Sequence, residues 1–214
     1  MIISVVSILA IDFCLKDIEE IVSWGSEFGE IYYRLCLSII ASYIFYFIVI
    51  HLKSMRDKEN INTFVSSKVS QILGDYRSQL SEIKKVSDLK DAKTIYELEE
   101  WKNLLIKISP NAQAPLILGT RYATWMQYFS YYNKRTQSHI QKIFVHMPFL
   151  DSELVKILAH IDDCSHFSVI DLVSSVNYTN NNMEGFASTF LEYSKLCQEL
   201  DEYYKKKLLE YKKQ

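Results

Sequence analysis

Five histidines, His51, His139, His146, His160 and His166, are the side chains of this chain best suited to acid–base or metal chemistry. His139 and His146 are seven residues apart, on one side of a helix but two turns distant, too far to share a metal ion without a second helix. Asp162, Asp163, Cys164 and His166 follow His160 closely and are all of ligating type. Their spacing matches no zinc pattern and falls where a helix ends, so capping and turn roles explain them. The sequence contains no GxxxxGK[ST], GxGxxG, HExxH or GxSxG. A Ser–His–Asp assembly is compatible with the composition, but nothing singles one out. Cys14, Cys36, Cys164 and Cys197 form no CxxC and read as buried free thiols. The expectation is a non-enzymatic chain with no metal, no cofactor and no small-molecule substrate.

The strongest ligand-like feature is aromatic and basic. Residues 120–135, TRYATWMQYFSYYNKR, interleave Arg121, Lys134 and Arg135 with Tyr122, Trp125, Tyr128, Phe129, Tyr131 and Tyr132. Arg among aromatics stacks unpaired bases, and Tyr, Trp and Arg are enriched at protein hot spots. Helical spacing assigns Tyr122, Trp125 and Phe129 to a core. The partner-binding candidates are therefore Arg121, Trp125, Tyr128, Tyr131, Tyr132, Lys134 and Arg135, facing a protein or nucleoprotein.

The location of this chemistry is set by residues 35–52, LCLSIIASYIFYFIVIHL, which contain no Asp, Glu, Lys or Arg. A helix of that length just crosses a hydrocarbon core of about 30 Å. Lys53, Arg56 and Lys58 follow it, and only Lys16 and Arg34 precede it, which orients the C-terminal side toward the cytoplasm. Tyr32 and Tyr33 suit an interfacial aromatic belt. The polar groups at this segment are Arg34 on its edge and Ser38, Ser42, Tyr46 and His51 within it, with Ser38, Ser42 and Tyr46 four apart on one stripe, a pattern that favours helix–helix contact in lipid. A transmembrane helix over 31–53 follows, in a single-pass protein whose residues 54–214 are cytoplasmic.

Residues 1–11, MIISVVSILAI, are apolar but too short to span. They lack the basic start and small-x-small site of a cleaved signal. The favoured reading is an amphipathic helix over 1–28 on the outer face, with Ile18, Ile21, Val22 and Trp24 dipping in. The alternative is a hairpin in which residues 1–15 insert beside the span and Gly25 and Gly29 form the turn. Residues 1–30 are thus an interfacial or partly inserted segment.

Residues 54–214 read as one cytoplasmic helical domain. Net charge is −4 over residues 1–52 and +2 over 53–214, no strong nucleic-acid footprint. Ile61, Val65, Val69, Ile72, Tyr76, Leu80 and Ile83 form a single stripe on a long helix over 59–86, which continues from the span through KSMRDKEN. A second helix is expected over 94–108, with Ile95, Leu98, Trp101, Leu105 and Ile108 inward. PNAQAP is a turn, and further helices follow over 116–133 and 136–146. Asp151 is the N-cap of SELVKILAHI, with Leu150 and Val155 as a hydrophobic staple. A short helix follows near 168–176, and NYTNNN is a loop. In the last helix, 183–213, Phe186, Phe190, Tyr193, Cys197, Leu200 and Tyr204 step by four and three, as a bundle contact or a self-association seam. The fold class is all-α, an N-terminal transmembrane segment followed by a helical bundle.

ASYIFYFIVIHL with its charged juncture, and MPFLDSELVKIL farther on, resemble poorly characterised bacterial proteins with a short N-terminal membrane anchor and a helical cytoplasmic part. The architecture is similar to small membrane effectors of phage-defence systems such as those accompanying retrons. The resemblance implies an effector held silent by a partner, then released or clustered to perturb the inner membrane, and it carries over no catalytic residue. Expected partners are the lipid bilayer, a second copy through the transmembrane helix or residues 183–213, and a protein or nucleoprotein. The alternative is a passive tether or adaptor that binds its partner through residues 120–135.

Overall fold

The computed structural model describes residues 2–11, 13, 25–89, 93–176 and 179–209. The chain divides into two compact units, residues 1–60 and 61–214. The division falls inside a helix.

The first unit contains helices α1 (Ile2–Ala10) and α2 (Gly25–Tyr46) and the opening turns of α3 (Leu52–Val86). A π-helical turn, Phe47–His51, joins α2 to α3, and the rings of Phe47 and His51 stack with centroids 5.4 Å apart. Among the described residues, one helical stretch, Glu27–Val86, contains a segment long and apolar enough to cross a membrane. α1 packs against α2. The Ser7 and Tyr32 hydroxyls are 3.0 Å apart, and the buried residues of the two helices are Ser4 and Cys36. Ser4 precedes Ser7 by about one turn and Cys36 follows Tyr32 by about one turn, the relation that antiparallel helices require. The described residues thus form two packed helices here, and a single continuous helix over 1–28 is corrected. The turn is also corrected, because Gly25 opens α2 and Gly29 lies within it. Ile18, Ile21, Val22 and Trp24 lie outside the described residues.

The second unit is predominantly helical: the rest of α3, α4 (Leu98–Leu105), α5 (Trp125–Phe144), α6 (Ser152–Asp162), α7 (Ser165–Ser174) and α8 (Ala187–Tyr203). Local chemistry sets its boundaries. Leu89 N–H bonds Lys84 O and Asp88 N–H bonds Lys85 O, so α3 ends in a Schellman motif with Asp88 at φ 53°. Glu97 and Glu100 cap α4 reciprocally, and Thr124 and Gln127 do the same for α5. Asp151 accepts from Glu153 N–H at 2.8 Å, the cap expected for α6.

Several expected boundaries are corrected. The helix over 94–108 is only α4; residues 93–97 are outside any helix, and Ile95 and Leu98 are exposed. The expected helix over 116–133 is in part a β-hairpin, β1 (Gln113–Leu118) and β2 (Arg121–Thr124), antiparallel with Ile117 opposite Tyr122 and Leu118 opposite Arg121. Gly119 has φ 64° and Thr120 does not share the positive φ, which makes the two-residue loop a type II′ turn. The register slips between Gln113 and Ile117, and that irregularity admits Pro115. The expected helices over 116–133 and 136–146 merge beyond Thr124 into α5.

Two core clusters fill the unit. One gathers Val65, Val69 and Ile72 of α3 with Ile140 and Ile143 of α5, Leu158 of α6, and Cys197 and Leu200 of α8. The other gathers Leu80 and Ile83 with Trp101, Ile108, Trp125, Phe129, Ile170 and Phe190. The expected α3 stripe is therefore the core face. The α8 seam is likewise buried from Phe186 to Leu200, with Tyr204 half-buried, and packs within its own domain.

Candidate functional site

On the first unit, Arg34 pairs with Glu30 one turn earlier on α2, at 2.5 Å. Ser38, Ser42, Tyr46 and His51 are all exposed, so the stripe is uncovered by its own chain. Around them Ile39, Tyr43, Ile44, Phe45, Ile48 and Ile50 also face outward, as do Ile2, Ile3, Val6 and Leu9 of α1. Ser4 and Cys36 are the buried side chains of α1 and α2 among the described residues, while the apolar groups lie outside with Ser38 and Ser42. The pair therefore leaves most of its apolar side chains uncovered by the chain.

In the second unit, the type II′ hairpin and the capped start of α5 sort residues 120–135 by burial. Trp125 and Tyr128 are 2 % and 1 % exposed, in the core with Phe129, at ring separations of 5.3–5.5 Å. As partner-binding residues both are corrected: α5 begins at Trp125, and its inward stripe claims them. Tyr122 is corrected in the other direction. It stands on β2, 58 % exposed, opposite Ile117. Arg135 turns toward Asp75 of α3, with Nε 3.1 Å from Oδ2. Tyr132 is half-buried against Tyr128.

Arg121, Tyr131, Lys134 and Arg135 are what this set leaves at the surface, Arg135 being paired with Asp75. Tyr131 and Lys134 line an open groove of about 330 Å³ with Leu118, Gln127, Ser130 and Ser174. Ile117, Leu118 and Tyr122 of the hairpin and Leu172 of α7 are also exposed. The hairpin's contribution went unread in the sequence, although Gly119-Thr120 between LIL and RYAT is the Gly-X signal of a II′ turn.

The remaining candidate chemistry is interior. His166 is fully buried, its ring parallel to Tyr193 (5.1 Å) and edge-on to Phe190 (4.4 Å). Thr189 Oγ donates to Phe186 O at 2.9 Å, so it accepts from His166 Nδ1 at 3.4 Å. The proton therefore sits on Nδ1, leaving Nε2 bare. Burial lowers His166 to about 3, so it is neutral at physiological pH. His139 is lowered to about 4, by burial first and then by Lys68, Arg135 and Lys142. Burial raises the Cys164 thiol to about 11 and pushes Cys197 up as well. Among the described residues no group of His, Cys, Asp and Glu converges on a metal site, and Asp162, Asp163, Cys164 and His166 do not face one another as ligands.

A polar seam that sequence reasoning missed runs between α3 and α5. Asp75 and Gln79 of α3 are buried, as are Asn133, Thr136 and His139 of α5, and Arg135 reaches Asp75 across the two helices. Burial raises the Asp75 carboxyl, and Arg135 partly offsets this. The only hint in the sequence is that these residues fall on helical positions facing apolar neighbours.

No protein-family model, no curated protein and no solved structure matches this chain.

Proposed function

We propose that the chain is a membrane-anchored, non-enzymatic helical protein whose first unit is solvated by lipid and whose second unit is folded on the cytoplasmic side of the bacterial inner membrane. The observation that carries the reading is the outward-facing apolar surface of α1 and α2, with Ser4 and Cys36 buried and Ile, Val, Leu and Phe outside. In water those exposed side chains would each forgo about 1.5–3 kcal/mol of burial; in hydrocarbon they lose nothing. The non-enzymatic part is supported by the interior chemistry: the most perturbed histidine and thiols are shifted toward their neutral forms and sealed in the core.

The activity that best suits such an anchor is perturbation of the membrane by clustering, through the uncovered Ser38, Ser42 and Tyr46 stripe. The phage-defence setting comes from the resemblance alone. Expression under a tight promoter with a potential-sensitive dye tests it. Rapid depolarisation, lost in the double substitution Ser38→Leu and Ser42→Leu while the second unit still folds, is the expected result. A full-length chain held in the membrane with intact potential, even when clustered by an added bivalent antibody, would count against it. It would favour the second reading, a tether whose partner docks on Tyr122, Tyr131, Arg121 and Lys134. The exposure of those four residues is the observation that favours that alternative.

A further inference from the structure

A second apolar surface occurs on the folded unit, in the turn between α5 and α6. Val145, Met147 and Phe149 all point outward there, Val145 being 77 % exposed and Phe149 51 %. The turn is well held. His146 N–H bonds Ile143 O at 2.9 Å, Phe149 N–H bonds His146 O at 2.9 Å, and Leu150 N–H bonds Met147 O at 3.1 Å. Pro148 stiffens the 3₁₀ turn, Leu150 packs on the core, and the His146 ring meets Phe64 edge-on at 5.3 Å. Three apolar side chains are thus presented with little conformational entropy left to lose.

The charge beside the turn is positive. Lys142 is exposed on the last turn of α5, and Lys68 lies 5.8 Å from the Phe64 ring. The nearest carboxylates in sequence, Asp151 and Glu153, are both engaged by Lys207, at 2.9 and 2.8 Å. A protrusion of three side chains is far smaller than the roughly 1,000 Å² that a specific protein interface needs. A bilayer sets no such minimum for a group that is already tethered to it. The tether is short: Phe64 is twelve residues from Leu52, where the apolar helix ends, and no conformation of that length exceeds about 43 Å.

We propose that Val145, Met147 and Phe149 form an interfacial anchor that dips into the headgroup region of an anionic bilayer, with Lys142 and Lys68 meeting the lipid phosphates. The proposal rests on the membrane anchoring argued above and adds a second, reversible contact to it. Each basic side chain near such a surface contributes about fivefold to the docked-to-free ratio.

The test uses the full chain in lipid nanodiscs at one copy per disc. An environment-sensitive dye is attached at Val145→Cys, or separately at Met147→Cys, in a Cys14→Ser background; Cys36, Cys164 and Cys197 are buried and label slowly. The same dye at Asn103→Cys, on exposed α4 surface, gives the baseline. The expected result is a blue shift at 145 and 147 in discs containing phosphatidylglycerol, reversed by high salt and reduced about fivefold or more in docked-to-free ratio by Lys142→Glu. A chain that stays in the disc with no shift, or with the same shift in pure phosphatidylcholine, overturns the anchor and leaves the membrane reading standing. A shift that appears only with several copies per disc assigns the turn to copy–copy contact and also overturns it. Failure of the chain to enter the disc overturns both.

Discussion

On the proposed reading, the two units solve opposite solvation problems with the same helical backbone. In the first, Phe45 is 66 % exposed while Ser4 is buried; in the second, Phe129 is fully buried, and so are Asn133 and Thr136. A helix's apolar content has meaning only against the solvent its outer face meets. Where that solvent is hydrocarbon, packing is left to small and polar groups. Where it is water, aromatic residues fill the core, and interior polar groups must satisfy one another.

The widest test of this contrast pairs two phenylalanines. Phe129→Ala removes a ring packed on Trp125, Tyr128 and Phe190 and is expected to destabilise the second unit by about 3–5 kcal/mol in denaturant titration. Phe45→Ala is expected to change that same transition by less than about 0.5 kcal/mol. Equal effects would break the comparison.

Acid sharpens it next. Folded His166 titrates near 3 and His139 near 4, whereas unfolded histidine titrates near 6.5. The unfolded chain therefore takes up the protons first. Stability is complete above about pH 6.5 and falls as pH drops, by about 1.4 kcal/mol per pH unit for each histidine. Asp75, raised by burial, acts in the opposite sense at the acid end. His166→Leu should remove one of the two histidine slopes between about pH 6 and 4.5, read from denaturation midpoints across pH.

Arg135→Met probes the polar seam. It leaves Asp75 buried without its ion-pair partner, and about 1–2 kcal/mol should be lost at neutral pH, a figure discounted for the half-exposed guanidinium. The deficit should shrink as pH falls through the raised pKa of Asp75. The smallest effect carries the opposite sign: Asp88→Gly relieves the left-handed φ of 53° at the end of α3 and should stabilise the unit by about 0.5–1 kcal/mol in thermal melts.

Elements governed by long periodicity were legible. The α3 stripe, the α8 seam and the Asp151 cap follow from residue spacing and one side chain's hydrogen bond. The β-hairpin was not read, because Tyr122, Trp125 and Phe129 fit a helical period that masks the two-residue turn before them. Ile95 and Leu98 fit the period of α4 but lie before or at its first turn, where the capping pair Glu97 and Glu100 sets the boundary. The partner surface was half legible: composition marks residues 120–135, but which members reach solvent depends on where α5 begins. The α3–α5 polar seam leaves no motif, since it arises only when two helices meet.

The most direct measurement is extraction of isolated membranes at alkaline pH, comparing the native chain with a double variant, Ile44→Lys and Ile48→Lys, both positions being on the exposed face of the apolar stretch. Lipid solvation of the first unit predicts that the native chain stays with the bilayer and that the double variant is largely released. Release of the native chain as a folded, water-soluble protein would contradict it.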